Sequence, residues 1–197
     1  MKPVVVITGR AVPLDRSDVD TDQIIHADWL KRVERTGFGA GLFGEWRDDR
    51  DFVLNDPRFV GATILIAGHN FGIGSSREHA VWALMDYGFE AVVASAFGDI
   101  FRNNSINQGL VPVQVTPEIE RALMSAVTDD PSLEITIDVA RGTVEAPAAG
   151  ISSTFPLHEF TRERLVNGWD EVGLTLRHES DIDVFEQGRP AWMPVAG

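Results

Sequence analysis

Residues 61–94 constrain the fold of this chain more than any other stretch. Gly61 to Ala67 (GATILIA) is an apolar run closed by Gly68, as expected of a strand covered on both faces. A glycine-rich stretch comes next, then Ser76 to Tyr87 (SREHAVWALMDY), rich in helix formers and halted by Gly88. Ala91 to Ala94 (AVVA) is a second strand-like run. Strand, loop, helix and strand in that order make a βαβ unit with parallel strands, right-handed by the general rule for such crossovers.

The other patterns add antiparallel character. Val4 to Ile7 reads as a short β-branched strand. Thr116-Pro117-Glu118 supplies a cap, a proline at the first helical position and an acid in the first turn, starting a helix that runs to about Val127. Leu133, Ile135, Ile137 and Val139 alternate with polar neighbours before Arg141-Gly142 and a second short run, the pattern of a hairpin. A helix is expected over Leu157 to Asn167 before Gly168, and the tail from Glu179 to Gly197 combines a short helix with a proline-containing end. No internal repeat or low-complexity tract interrupts this order. The class is therefore α/β with a mixed sheet. Residues 1–130 form the core that carries the glycine loop, and residues 131–197 form a hairpin and a C-terminal helical extension of the same domain.

Charge narrows the function. The formal net charge is −13, from 17 Lys and Arg against 30 Asp and Glu. Such a field repels phosphate backbones and anionic lipid, so neither nucleic acid nor a membrane surface is an expected partner. No run approaches the roughly 20 apolar residues needed to span a bilayer, and the start, MKPVVVITG, lacks the apolar core of a signal peptide. A soluble cytoplasmic chain is expected. There is no cysteine, which excludes disulfides and any thiolate ligand for zinc or an iron–sulfur cluster from this chain. An acidic protein acting on a small anion needs its positive charge concentrated locally, which draws attention to Arg77 beside a glycine loop.

That loop, GHNFGIGSSREHA over residues 68–80, fails three familiar templates. It lacks the Gly-Lys-Ser/Thr of a Walker loop, it has Arg77 where a dinucleotide fingerprint needs a third glycine, and no glycine stands two residues after either serine. Ser75 and Glu78 have the spacing of a capping box, which puts Ser75, Ser76 and Arg77 at the amino end of a helix. Unpaired N–H groups and the positive end of the helix dipole favour an anion there. A purely structural cap accounts for Ser75 and Glu78. It leaves Gly72, Gly74 and Arg77 unexplained, whereas a carboxylate ligand approached closely by backbone accounts for them.

Five segments, in chain order, carry a resemblance: Asp18 to Ile25 (DVDTDQII), Leu30 to Gly39 (LKRVERTGFG), Gly74 to His79 (GSSREH), Phe97 to Val113 (FGDIFRNNSINQGLVPV) and Val172 to His178 (VGLTLRH). They resemble the swivel domain of the aconitase superfamily and, within it, the small-subunit branch of the isopropylmalate isomerases. The resemblance implies an aconitase-like swivelling domain and a hydro-lyase that moves a hydroxyl between neighbouring carbons through an alkene. It implies a 4Fe–4S cluster carried by a large subunit, which this cysteine-free chain would join as partner on a small dicarboxylate substrate. By match to the motifs, Ser75 is the general base acting as an alkoxide, Ser76 a supporting donor and Arg77 the partner of a substrate carboxylate. Asp22 supports the active-site residues. The segment from Leu30 to Gly41 resembles a substrate-recognition lid. There Arg32 or Arg35 would reach a carboxylate beside Thr36 and Phe38, while Gly37 to Gly39 would leave room for an isopropyl group.

Bland readings hold elsewhere. His79, Trp82 and Met85 read as packing or cap groups, and His69, His158 and His178 lack metal-ligand spacing. His26 stands where the family often has proline, a tolerated variation. Asn103 and Asn104 fit either a helix end or the rim of the site. Two rivals stay open: a homoaconitase or methylmalate-type isomerase subunit, and a non-catalytic dicarboxylate-binding module built on the same helix end.

Overall fold

A computed structural model describes residues 1–31, 36–75 and 77–189. Arg32, Arg35, Ser76 and the proline-containing end lie outside the described residues. The strands are β1 (Val6–Leu14), β2 (Ile64–Ala67), β3 (Ala91–Ala94), β4 (Val111–Gln114), β5 (Glu134–Asp138), β6 (Thr143–Ala146) and β7 (Ile151–Thr154). The helices are α1 (Thr21–Ile24), α2 (Gly44–Arg47), α3 (Glu78–Tyr87), α4 (Asp99–Gln108), α5 (Pro117–Asp129), α6 (Glu159–Asn167), α7 (Glu171–Leu176) and α8 (Glu179–Gln187). The strands make one mixed sheet in the order β4-β3-β2-β1-β5-β6-β7.

The expected βαβ unit is present: β2 and β3 are parallel neighbours joined by α3. Both strands are buried along their whole length, as their unbroken apolar runs require. Helix α3 stops at the glycine that its sequence supplies. Gly88 takes the left-handed conformation and its N–H reaches the carbonyl of Leu84. A second unit, β3-α4-β4, repeats the pattern. Its helix, DIFRNNSINQ, carries too few apolar residues for periodicity to announce it, and it buries only Phe101, Ser105 and Ile106.

Strand β1 is longer than the Val4 to Ile7 run suggests, and tertiary pairing explains the difference. Val6–Arg10 pair antiparallel with β5, whereas Ala11–Leu14 pair parallel with β2. Its first half accordingly alternates and its second half is wholly buried. Pro13 is tolerated because β5 ends opposite Arg10, so the proline nitrogen needs no partner on that side. Pro112 sits in β4, an edge strand, for the same reason.

The hairpin forms as expected, with Ile137 opposite Val144. Strand β7 (ISST) extends it on the edge, half exposed and without an apolar signature of its own. Residues 134–154 thus complete the sheet that β1 begins. Helix α5 lies over β1 and β2, burying Leu123 and Val127, and starts from Thr116 as its sequence indicates. The C-terminal part is tied to the N-terminus by the Val4 N–H bonded to the Leu165 carbonyl at 2.8 Å. Helices α7 and α8 bury no residue. Among the described residues no helix is long and apolar enough to cross a membrane.

One buried polar contact fixes the end of β3. Glu120 on α5 is 8% exposed, and one of its oxygens accepts the N–H of Ser95 at 2.7 Å. Glu120→Ala leaves that amide without its partner and is expected to cost about 1–3 kcal/mol of stability. Chemical denaturation measures it; an unchanged midpoint would show that Ser95 finds another acceptor.

Candidate active site

The loops that leave the carboxyl ends of β1, β2 and β3 meet at one end of the parallel half of the sheet, where open α/β sheets bind their ligands. They are stitched together by backbone. The N–H groups of Gly72 and Ile73 both donate to the Val19 carbonyl, at 2.7 and 3.2 Å, and the Thr21 N–H returns to the Ile73 carbonyl at 2.9 Å. On the other side, the Phe71 N–H donates to Ala96 at 3.0 Å and the Gly98 N–H to Phe71 at 2.9 Å. The Thr21 hydroxyl closes the set by donating to the Ser75 carbonyl at 2.8 Å.

Close packing explains two of the glycines. Gly72 has φ +75, and a methyl group there would lie 2.3 Å from the Phe101 ring. A methyl on Gly98 would lie 2.4 Å from the Gly72 carbonyl oxygen. Gly72 thus also brings one loop close to the next, while its backbone lines the groove beside Ser75.

Ser75 is exposed at the end of this stitched loop. It borders an open groove of about 300 Å³, walled by Gly72 to Ser75 on one side and Gly98 to Ile100 on the other. The expected capping box at Ser75 and Glu78 does not form. Helix α3 begins at Glu78, its cap position is Arg77 in an extended conformation, and the Arg77 side chain does not cap it. One physical reason is competition: the Glu78 carboxylate, which a box would turn back to the Ser75 N–H, accepts from the Gln108 side chain instead. The capping box of this region belongs to α1 instead. Asp20 accepts from the Gln23 N–H at 2.8 Å and Gln23 accepts from the Asp20 N–H at 2.9 Å. Neither Arg77 nor a Ser75–Glu78 box therefore caps the first-turn N–H groups of α3.

Arg77 is 19% exposed, and its Nη1 pairs with Asp22, whose side chain is half exposed. The acid and the arginine that the sequence places in separate motifs are thus brought into contact. Asp22 lies in the first turn of α1, so the Asp20 cap that starts this helix also aims the partner of Arg77.

The lid segment is anchored rather than loose at its C-terminal end. Thr36 and Gly37 are exposed, but Phe38 is fully buried, with its ring centroid 5.4 Å from His79, 5.7 Å from Trp82 and 6.3 Å from Trp29. Its N–H donates to Asp86 on α3 at 2.8 Å. A methyl on Gly39 would lie 2.8 Å from the backbone of Asp86 and Tyr87. The structure therefore corrects the reading of Gly39: its missing side chain makes room for α3, not for a substrate arm. Phe38 stands behind the loop, in the core, so its ring faces other aromatics.

Other residues fall into place. His79 and Trp82 pack together at 4.7 Å, His69 contacts the Ser95 hydroxyl at 3.1 Å, and His158 caps α6. His26 pairs with Asp28 at 3.3 Å. Asn103 and Asn104 sit inside α4 and terminate nothing. The groove walls Asp99 and Ile100 lie in the Phe97 to Val113 segment of the resemblance, which gives them no role; only the approach of the β3 loop to Gly72 makes them neighbours of Ser75. Among the described residues no three His, Cys, Asp or Glu side chains come together as a metal site.

Comparison with known proteins bears on the family and the fold. Residues 1–118 match the family model of the aconitase C-terminal domain, and residues 171–194 match that of the C-terminal domain of the 3-isopropylmalate dehydratase small subunit. The chain is 62% identical to a protein named 3-isopropylmalate dehydratase small subunit from Frankia casuarinae, over 99% of both chains. It is 56% identical to one of the same name from Rubrobacter xylanophilus, over 98% of both. The crystal structure of 3-isopropylmalate dehydratase (LeuD) from Methanocaldococcus jannaschii superposes with a TM-score of 0.65 at 26% identity, covering 92% of this chain and 99% of that one.

The placement of Phe38 yields a test. Phe38→Ala should cost about 3–5 kcal/mol, as for a buried aromatic, while Thr36→Ala should stay within about 0.5 kcal/mol, as for a surface change. Denaturation midpoints of the two variants decide it, and a stable Phe38→Ala chain would move the ring out of the core.

Proposed function

The chain belongs to the family of 3-isopropylmalate dehydratase small subunits, and from that premise we propose that it supplies the base and the carboxylate clamp of a hydro-lyase. The reaction interconverts 2-isopropylmalate and 3-isopropylmalate through isopropylmaleate, a step of leucine biosynthesis in the cytoplasm. The observation that carries this reading is the exposed Ser75 on an open groove, two residues from an arginine held by Asp22.

Two chemical difficulties define what the site must do. The proton to be removed lies α to a carboxylate and is weakly acidic, and hydroxide is a poor leaving group. The Ser75 alkoxide takes the proton, the freed electron pair becomes the carbon–carbon double bond, and the hydroxyl leaves with the carbon–oxygen bonding pair as hydroxide, whose uptake falls to the large subunit. Rehydration runs the sequence backwards with the two carbons exchanged. A serine hydroxyl is a feeble base in water. Its anion would be stabilised here by the first-turn N–H groups of α3, the positive end of that helix and the Arg77 guanidinium two residues on. Docking of a large subunit over the groove would exclude water and strengthen all three.

Arg77 holds one substrate carboxylate through the fork of N–H donors that Asp22 does not occupy. Ser76 adds a donor beside the base, and Arg32 or Arg35, with Thr36 and Gly37, closes over the second carboxylate. Departure of the hydroxyl falls to the partner. The residues of this chain do not fit a metal-cluster role, having no cysteine and, among the described residues, no cluster of other ligands. The 4Fe–4S cluster is assigned to the large subunit.

Mixing the chain with the large subunit of the same enzyme should produce hydration of isopropylmaleate, followed by loss of its ultraviolet absorbance, that neither has alone. Activity of the chain by itself without iron would defeat the assignment. In the complex, Ser75→Ala should lower kcat by about 10²- to 10⁴-fold, the usual worth of a general base, without loss of assembly. An equally active variant would leave Ser75 a structural residue. Turnover of homocitrate in preference to isopropylmalate would favour the homoaconitase-type alternative.

A further inference from the structure

Three non-glycine residues among those described have positive φ: Asp18 (φ 54), Phe43 (φ 49) and Asn70 (φ 65). Two of them face each other at the rim of the candidate site. The Asn70 side-chain N–H donates to the Asp18 carboxylate at 2.8 Å, and the Asp18 backbone N–H donates to the His69 carbonyl at 2.8 Å. One residue comes from the loop after β1 and the other from the loop after β2. Asn and Asp enter the left-handed region with the least penalty among residues with a side chain, yet the conformation persists only where its surroundings hold it.

The neighbours of these two residues explain why the conformation is held. Val19 and Phe71, next in the chain, are 1% and 0% exposed, so each loop turns sharply from the rim into the core. Val19 then accepts the Gly72 and Ile73 N–H groups, Ile73 accepts from Thr21, and the Thr21 hydroxyl reaches Ser75. On the first loop Asp20 caps α1 and Asp22 meets Arg77. Asp18 and Asn70 stand at the start of both paths, where a slip of one loop against the other would be passed to Ser75 and Arg77 together.

We propose that Asp18 and Asn70 form a clasp that sets the register of the two loops, and so act as positioning residues for the Ser75 hydroxyl and the Arg77 guanidinium. Neither residue touches substrate. The catalytic half of this inference rests on the roles proposed above for Ser75 and Arg77; the structural half does not.

The side-chain bond can be broken and remade without losing left-handed tolerance. Asn70→Asp sets two carboxylates against each other, and the double change Asp18→Asn with Asn70→Asp restores donor and acceptor in reversed order. Asn70→Gly keeps the backbone conformation and removes the bond. In the isolated full chain, the Thr21, Gly72 and Ile73 amides of Asn70→Asp and Asn70→Gly should exchange hydrogen about tenfold faster than wild type, with the global denaturation midpoint retained. In the assembled complex both variants should lose about tenfold or more in kcat while KM stays within about threefold, because a small misplacement of the base is costly in the transition state. The double variant should recover both readouts. Wild-type exchange and kcat in Asn70→Asp and Asn70→Gly, or failure of the double variant to recover, would overturn the clasp. An inactive wild-type complex would instead overturn the functional assignment, leaving the exchange measurement to decide the clasp.

Discussion

The backbone hydrogen bonds that join the loops after β1 and β2 are the constraint on which the site depends. The parallel ladder between these strands ends at Leu14 and Ala67, but pairing resumes at Val19, Thr21 and Ile73, beyond the regular strands. Without that second register Ser75 and Asp22 would ride on separate surface loops. With it, the acid of one motif meets the arginine of another, and Thr21 of the first ties down the Ser75 backbone of the second. The third loop, after β3, is held by the same device through Phe71 and Gly98.

The electrostatics suit a half-site. The chain as a whole repels anions, and Arg77 is paired with Asp22, which cancels much of its long-range field. On the proposed function, recognition of a carboxylate by Arg77 would work at hydrogen-bond distance, through the geometry of the guanidinium fork, rather than by long-range attraction. The groove beside Ser75 is open and its walls are largely backbone and small side chains. On the proposed function, such a surface would leave a serine anion hydrated, and a covering partner would supply the low dielectric that the chemistry requires.

Much of the frame is legible in the sequence, and the points where structure departs from it share one cause. The buried strands, the α3 stop at Gly88, the Thr116 cap and the antiparallel hairpin all come from local patterns that the structure leaves intact. Gly39 suggests space for a ligand only because a glycine in sequence shows that something comes near without showing what. In three dimensions that something is the backbone of α3, and at Gly72 it includes the ring of Phe101. The Ser75–Glu78 capping box is plausible by spacing, but α3 starts only after Arg77, and Gln108, distant in sequence, takes the Glu78 carboxylate that the box would have used.

Sequence alone determined which chemistry is present: a cysteine-free acidic chain, a βαβ frame, two serines and an arginine on a glycine loop, and an acid-rich motif near the N-terminus. These are properties of composition and short-range order, which hydrophobic periodicity and residue type record directly. Only the tertiary structure decided that Asp22 belongs to Arg77, that Phe38 faces the core, and that Asp18 meets Asn70. Those pairings join residues about fifty positions apart or bury a side chain among distant partners, and they are set by loop-to-loop hydrogen bonds and close packing that no local pattern encodes.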